Sequence, residues 1–440
     1  MPSKNIPSKQ NQTADTSAPT KRRAHPWAWI PSLYFAEGMP NAIVVTTSIL
    51  MYKNLGVSNT ETAFFTSLVY LAWVIKPLWS PFVDIFHTKR QWIVATQLML
   101  AIAFGAIALL LNTPIFFVGT IVMFFLMAFV SATHDIAADG FYMLGLTSRQ
   151  QSYFVGIRNI AYKLATIVAM AGGTALSGVL INVGFSSAMS WTIVMAIIGC
   201  LFLAFAAYHR FILPRPDDDH SNDNHSAANV WNEFGDTFKT FFQKKGIIIA
   251  LLFMMLYRLP ESLLTKMITP FLVDPVDQGG LGLTNEAVGI IYGLVGTIGL
   301  LGGGLLGGFL ISRGGLKRWI QPMAWSMSLT CLTFLLLSHT HNPSLLIVNA
   351  CVFIEQFGYG FGFSAYMLYL IYFARGHYAT AHYAISTGFM ALGLMLPGMA
   401  AGWLQELLGY QNFFLATIAC CVTTIYVAMI VKIDPQFGKK

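Results

Sequence analysis

The chain has 440 residues, of which 55% are hydrophobic and only 10% charged, and its mean hydropathy is +0.61. Soluble globular chains carry charge on about one residue in four, so this composition excludes a soluble enzyme or binding domain and implies a chain that crosses a membrane many times. The formal charge of +7 is no argument for nucleic acid, because Lys and Arg fall in short segments between apolar runs and not on one solvated face.

Residues 1–24 are rich in Ser, Thr, Asn, Gln, Lys and Pro and are expected to form a disordered tail. Lys21, Arg22 and Arg23 precede an apolar run too long for a signal-peptide core, so the first helix is expected to stay as an anchor. From Trp27, runs long enough to span the hydrocarbon core recur at 27–51, 60–83, 91–111, 114–144, 152–182 and 187–212. A second set follows at 246–273, 284–311, 319–338, 344–373, 379–406 and 409–432. The expected fold is an all-α polytopic membrane protein with twelve transmembrane helices in two six-helix halves, 25–212 and 246–434, joined by a linker at 213–245 and closed by a tail at 435–440.

Outside these runs nearly every Lys and Arg falls on one side, from Lys89, Arg90 and Arg149 through Lys244, Lys317 and Arg318 to Arg375 and Lys432. The alternate loops hold only Lys53. Both termini are therefore expected in the cytoplasm. The linker run DDDHSNDNH is read as a solvated acidic loop in preference to a metal site built on Asp217, His220 and His225. The cysteines Cys200, Cys331, Cys351, Cys420 and Cys421 all lie in apolar runs without metal-site spacing, so neither disulfides nor zinc is expected to organise the fold.

Charges inside apolar runs need an interior, because a bare charge at membrane depth costs several kcal/mol. In SATHDIAADGFY (131–142), Asp135 and Asp139 are four residues apart and share a helix face. Counting outward from the turn near Arg149 brings Asp139 level with Arg158 and Asp135 level with Lys163, which predicts two ion pairs. The halves echo one another: Tyr34 and Glu37 beside Pro40 match Tyr257, Arg258 and Glu261 beside Pro260, and Asp84 before Lys89 and Arg90 matches Ser312 before Lys317 and Arg318. Interrupted, charge-bearing helices at corresponding places point to a binding site between the halves.

SPFVDIFHTKR (80–90) resembles the signature between helices two and three of the major facilitator superfamily. That likeness implies that Asp84 caps or pairs with a neighbouring helix end, with Lys89 and Arg90 at the membrane surface. More narrowly, LMYKNLGVSNTETAFFTSLVYLAWVIKPLWSPFVD (50–84), SATHDIAAD (131–139), YRLPESLLTKMITPFL (257–272) and YATAHYAISTGFMALGLMLPGMAAGWLQELLGYQNFF (378–414) resemble the AmpG muropeptide permease family, to which the acetyl-CoA transporters are related. The resemblance implies proton-driven import of cell-wall sugar-peptides across the bacterial inner membrane. Those permeases carry Gln where this chain has His134 and His382, Arg where it has Tyr142, and Gly-Asp where it has Pro260 and Glu261. Loss of that basic group leaves a muramyl sugar or a shorter fragment open as cargo.

The candidates for proton coupling or substrate contact are Glu37, Asp135, Arg258, Glu261 and Glu355. Asp139, Arg158, Lys163, Asp84, Lys89 and Arg90 are candidates for gating ion pairs, and Tyr34, Trp73, Tyr162, Tyr257 and Tyr359 for aromatic cavity walls, with Tyr292 and Tyr366 as further wall residues. Lys76 and Lys266 are counter-charges or substrate anchors unless they snorkel to an interface.

Gly302, Gly304 and Gly307 spell GxGxxG inside an apolar helix that follows no strand, so they are read with Gly289, Gly293, Gly296, Gly299, Gly303 and Gly308 as a packing face. No Walker or GxSxG motif is present, and no cofactor, metal or catalysis is expected. The expected partners are a sugar or sugar-peptide, protons and the bilayer, without nucleic acid and without a second copy. A carrier of acetyl-CoA or of an unrelated sugar, or a membrane sensor of cell-wall fragments, stands as the alternative.

Overall fold

A computed structural model describes residues 25–85, 87–146, 148–215, 227–376 and 379–438. The tail expected at 1–24, the acidic run at 217–225 and the side chains of Asp84 and Arg149 lie outside the described residues. The first half comprises α1 (30–54), α2 (59–85), α3 (Lys89–Leu110), α4 (Phe116–Gly145), α5 (148–182) and α6 (Ser187–Ile212). The second comprises α7 (247–273), α8 (285–314), α9 (316–339), α10 (Leu345–Ala374), α11 (379–408) and α12 (410–430). Gly409 separates the last two with φ 72°, a left-handed conformation that a side chain would strain.

Nine described helical stretches are long and apolar enough to cross a membrane, and one of them, 382–430, is the pair that Gly409 divides. Of the rest, α2 is broken at Val69 and Tyr70, and α1 carries Glu37 and Lys53. Large apolar side chains such as Leu109 (79% exposed), Phe211 (84%) and Leu346 (79%) face outward, where only a hydrocarbon surround removes them from water. This is a multi-pass membrane protein.

The helices begin where a side chain satisfies amides that the bilayer would leave bare. Ser58, Ser186, Thr284 and Ser344 each accept from an amide three residues on, and Thr88 and Gln91 form a reciprocal capping box at the start of α3. Connections alternate between two faces. We call the one holding His25 and Gly438 the terminal face and the other, with the 55–58, 183–186 and 274–284 connections, the far face.

The first half packs around Phe104, Phe124, Trp191 and Phe202, with a second cluster around Trp29, Phe141 and Tyr34. In the other half, Phe271, Phe334, Phe413 and Phe414 pack near the far face, and Phe253, Tyr257 and Tyr366 near the terminal face. The glycine face of α8 is used on two sides. Gly299, Gly303 and Gly307 bring α8 onto Phe353, Phe357 and Phe361 of α10, whereas Gly289 and Gly293 bring it onto α5, where a Cβ on Gly293 would meet Ala171 N at 2.7 Å. Gly308 faces open space and takes no part in this packing.

The halves meet along α5 with α8 and along α2 with α11. Gly398 lies against Ser67, and a Cβ on Gly402 would strike the Asn59 carbonyl, so α11 approaches α2 with nothing between the backbones. Three helices relax into π turns at this level: Ile43–Thr47 in α1, Val168–Gly172 in α5 and Gly289–Gly296 in α8.

Beyond the acidic run the linker forms a helix at Ala227–Phe242 that the sequence reading did not place. Its Phe241 is fully buried, ringed by Phe373, His382 and Phe389, and Thr240 bonds His382 at 3.2 Å. The signal was the helical spacing of Phe234, Phe238, Phe241 and Phe242. The tail end also docks: Phe437 O accepts from Leu316 N at 3.0 Å, and the Arg375 guanidinium stacks 4.0 Å from the Phe437 ring.

Candidate functional site

A cavity of about 150 Å³ lies between the halves at mid-depth. The first half contributes Thr46 from α1, Tyr70 from α2, and Thr166 and Met170 from α5. The second contributes Arg258, Glu261, Ser262, Thr265 and Lys266 from α7, Tyr292, Thr297 and Leu300 from α8, Gln356 and Tyr359 from α10, and Leu394 from α11. Small-molecule sites commonly measure about 300–1,000 Å³, so this one is contracted.

Its charged wall is made by the break in α7. The helix stops at Leu256 and restarts at Leu259, with Pro260 in the new first turn where no amide partner is needed. Arg258, at the break, reaches Glu261 through Nε (2.9 Å) and Nη2 (3.2 Å) and donates to the Tyr359 hydroxyl at 2.7 Å. Thr265 donates to the same carboxylate at 3.1 Å. The guanidinium also stacks over Phe363 at 4.8 Å. Both members are about 5% exposed, and a fork-shaped donor on a planar acceptor fixes this corner of the cavity.

A second charged cluster sits in the first half, among α1, α2, α4 and α5. Arg158 Nη2 lies 2.9 Å from Asp139 Oδ1, the Tyr34 hydroxyl donates to the same oxygen at 3.1 Å, and the guanidinium covers the Tyr34 ring at 4.4 Å. Asp139 remains 43% exposed, so this end of the cluster meets water. Asp135 pairs with Lys76 at 3.4 Å and has Trp73 against it. Glu37 is buried within electrostatic range of Asp135, Asp139, Arg158 and Lys76, and among the described residues its Oε2 meets no hydrogen-bond donor.

The expected Asp139 to Arg158 contact is present, and the expected Asp135 to Lys163 contact is corrected to Asp135 with Lys76. Distance from a turn sets depth but not direction. On α4 the two acids are turned only about 40° apart, whereas on α5 the two bases, five residues apart, are turned about 140° apart. If Arg158 faces α4, Lys163 faces elsewhere.

Three further expectations change. Tyr257 is no cavity wall: it opens the α7 break, donates to Gly362 O at 3.1 Å and stacks on Tyr366 in the core, and Tyr366 likewise spends its hydroxyl on Met254 O. Glu355 is buried behind the wall, accepting from Gln356, because the next residue on a helix points about 100° away and it is Gln356 that reaches the cavity. Tyr34, Trp73 and Tyr162 flank the acidic cluster or its helix α1, so Tyr359 and Tyr292 are the expected aromatics that line the cavity. Lys89 Nζ bonds Val83 O at 3.0 Å, and Arg90 bonds the carbonyls of Leu213 and Arg210, which ties together helix ends within the first half.

Sequence reasoning missed Tyr70, Thr46 and Gln356 in the cavity and missed the far-face seal. There Lys53 meets Asp274 at 2.8 Å, Asn54 and Asn285 exchange a bond at 2.6 Å, Asn59 donates to Gln405 at 2.6 Å, and Thr60 N bonds Glu406 at 2.9 Å. Each bond joins one half to the other and closes the cavity from a vestibule of about 560 Å³. The signal was Lys53 itself, the lone cation of its face. Among the described residues, no group of three His, Cys, Asp or Glu side chains could hold a metal ion.

The chain is 28% identical over 410 residues to the anhydromuropeptide permease of Escherichia coli, covering 91% of this chain and 78% of that one. It is 23% identical over 408 residues to a Rickettsia conorii protein that carries the name AmpG 4, covering 90% and 94%. A crystal structure of a point mutant of the nucleoside transporter NupG superposes with a TM-score of 0.69 at 16% identity, covering 91% of this chain and 98% of that one. A family model described as "Major Facilitator Superfamily" matches residues 32–396, and the chain belongs to that superfamily.

Proposed function

We propose that this protein is a secondary active importer of peptidoglycan-derived sugars or sugar-peptides in the bacterial inner membrane, working by alternating access and coupled to protons. The observation that carries the proposal is the polar, ring-lined cavity enclosed between two halves and sealed at the far face by bonds that join them. Tyr70, Tyr292 and Tyr359 offer flat faces to pyranose rings, and Gln356, Ser262 and Thr265 offer groups that fix hydroxyls and amides. Similarity to a permease named for anhydromuropeptides supports the cargo class.

The excess of Lys and Arg on the terminal face orients it toward the cytoplasm, so that the sealed far face looks outward. Glu37, buried beside two further carboxylates and with an oxygen that meets no donor among the described residues, is the group suited to take a proton from outside and release it inside. The protein works as a monomer, with the cavity complete in one chain.

The test is uptake of labelled N-acetylglucosaminyl-anhydro-N-acetylmuramyl peptide into proteoliposomes under an imposed pH gradient. Accumulation abolished by a protonophore is expected. Binding without accumulation would make the protein a sensor, and accumulation indifferent to the gradient would remove the proton.

A further inference from the structure

We propose that Lys266 is the recognition point for a carboxylate on the transported N-acetylated sugar, an inference that rests on the importer function and deepens it. Lys266 lines the central cavity, is 3% exposed, and sits on α7 two turns beyond Arg258. The two cations of the wall differ in what they already hold. Arg258 is fully engaged by Glu261 and Tyr359. Lys266 takes part in none of the described ion pairs, and its amine donates to a single neutral group, Thr66 Oγ1, at 3.1 Å, with the Tyr70 ring 5.5 Å away.

An ammonium has three donors, so two are left for the cavity. Arg258 and Glu261 cancel, so with Lys266 protonated the wall carries one positive charge. A charge held this deep without a counter-ion is unfavourable, and the arrangement fits a site whose counter-ion arrives with the ligand.

The bond to Thr66 adds a consequence. Thr66 belongs to α2 in the first half and Lys266 to α7 in the second, so this hydrogen bond bridges the halves inside the cavity. A carboxylate that takes Lys266 offers an ion pair in place of a bond to a neutral hydroxyl and competes for an amine that helps hold the halves together. Recognition and release of the closed state thus share one side chain.

The experiment uses the purified full-length protein and ligand-induced thermal stabilisation, a readout that needs no transport. The probes are N-acetylmuramic acid and N-acetylmuramyl-alanine, whose carboxylates lie on the lactyl ether and one residue further out, each beside its methyl ester. In the unaltered protein at least one acid is expected to bind about tenfold or more tightly than its ester, and the favoured pair identifies which carboxylate is read. Lys266→Met should bind acid and ester alike, with the ester unaffected. Lys266→Arg should keep part of the preference, and Thr66→Val all of it. The same affinity for acid and ester in the unaltered protein, or a preference that survives in Lys266→Met, overturns the proposal. Proteoliposome uptake separates the two claims: accumulation without acid selectivity sinks only the role of Lys266, and Lys266-dependent acid binding without accumulation sinks the importer.

Discussion

Lys53 Nζ stands 2.8 Å from Asp274 Oδ1, joining the last turn of α1 to the end of α7 across the boundary between the halves. The other oxygen of this carboxylate accepts from Tyr410 at 2.5 Å and from Asn59 at 3.5 Å, so one acid gathers donors from α1, α2 and α12. Both partners are largely buried, with side-chain exposures of 14% and 8%. The pair is therefore costly to break by removing one member, and it ranks as the main bolt of the far face.

Lys53→Met or Asp274→Asn should shift the protein toward an open far mouth. The reporter is Thr46→Cys at the cavity, in a background lacking the native cysteines, labelled from the far side with an impermeant maleimide. Loss of about 1–3 kcal/mol of coupling corresponds to a rise in labelling of about 5- to 150-fold. The exchange Lys53→Asp with Asp274→Lys should bring labelling part of the way back. Unchanged labelling in both single variants would show that the pair does not hold the mouth shut.

Gly402 tests the same closure through packing. Because its Cβ would collide with the Asn59 carbonyl, Gly402→Ala should keep α11 from seating on α2. The Thr46→Cys reporter should again be exposed, and adding Lys53→Met should contribute little more, since both changes act on one step. Full additivity would place them on separate steps.

Asp139 and Arg158 should behave as a pair. Removing one partner of a buried ion pair costs about 3–5 kcal/mol, but Asp139 is 43% exposed and Arg158 26%, so solvent screening reduces the expected cost to about 1–3 kcal/mol. Asp139→Arg and Arg158→Asp should each lower uptake or membrane expression, and the double exchange should recover part of it. Tyr34→Phe, which removes one neutral donor, should be milder. A correctly inserted double variant no better than the worse single one would count against the pairing.

Glu37→Gln and Asp135→Asn address coupling. The variant that removes the proton carrier should fail to accumulate substrate against a gradient yet still exchange labelled for unlabelled substrate across the membrane, because binding and rocking survive. If both variants accumulate normally, neither carboxylate carries the proton.

Helix number and the depth of each charge were legible in the sequence, because both depend on counting residues along an axis with a fixed rise. Direction around the axis was not. Lys163 and Asp135 lie level but face apart, and Glu355 was singled out where its neighbour Gln356 lines the cavity. Partners from different halves were least legible: Lys53 and Asp274 are separated by the six helices α2 to α7 and the linker, and only packing brings them together. Proline was a truer guide, since Pro40 precedes the π turn of α1 and Pro260 follows the break in α7 that turns Arg258 inward.

The π turn Ile43–Thr47 gives α1 one residue more than its length requires. It lies beside the π turn of α5, with Thr47 Oγ1 bonded to Ala169 O at 3.3 Å, and Gly293 in the π turn of α8 presses on Ala171 from the other half. Slack is thus concentrated where the halves cross. Deleting Val45 should be absorbed there, leaving Glu37 and Lys53 on their present faces and a protein that inserts and binds ligand but cycles slowly. The same deletion in α3, which has no such turn, would rotate every residue beyond it by about 100° and should abolish expression.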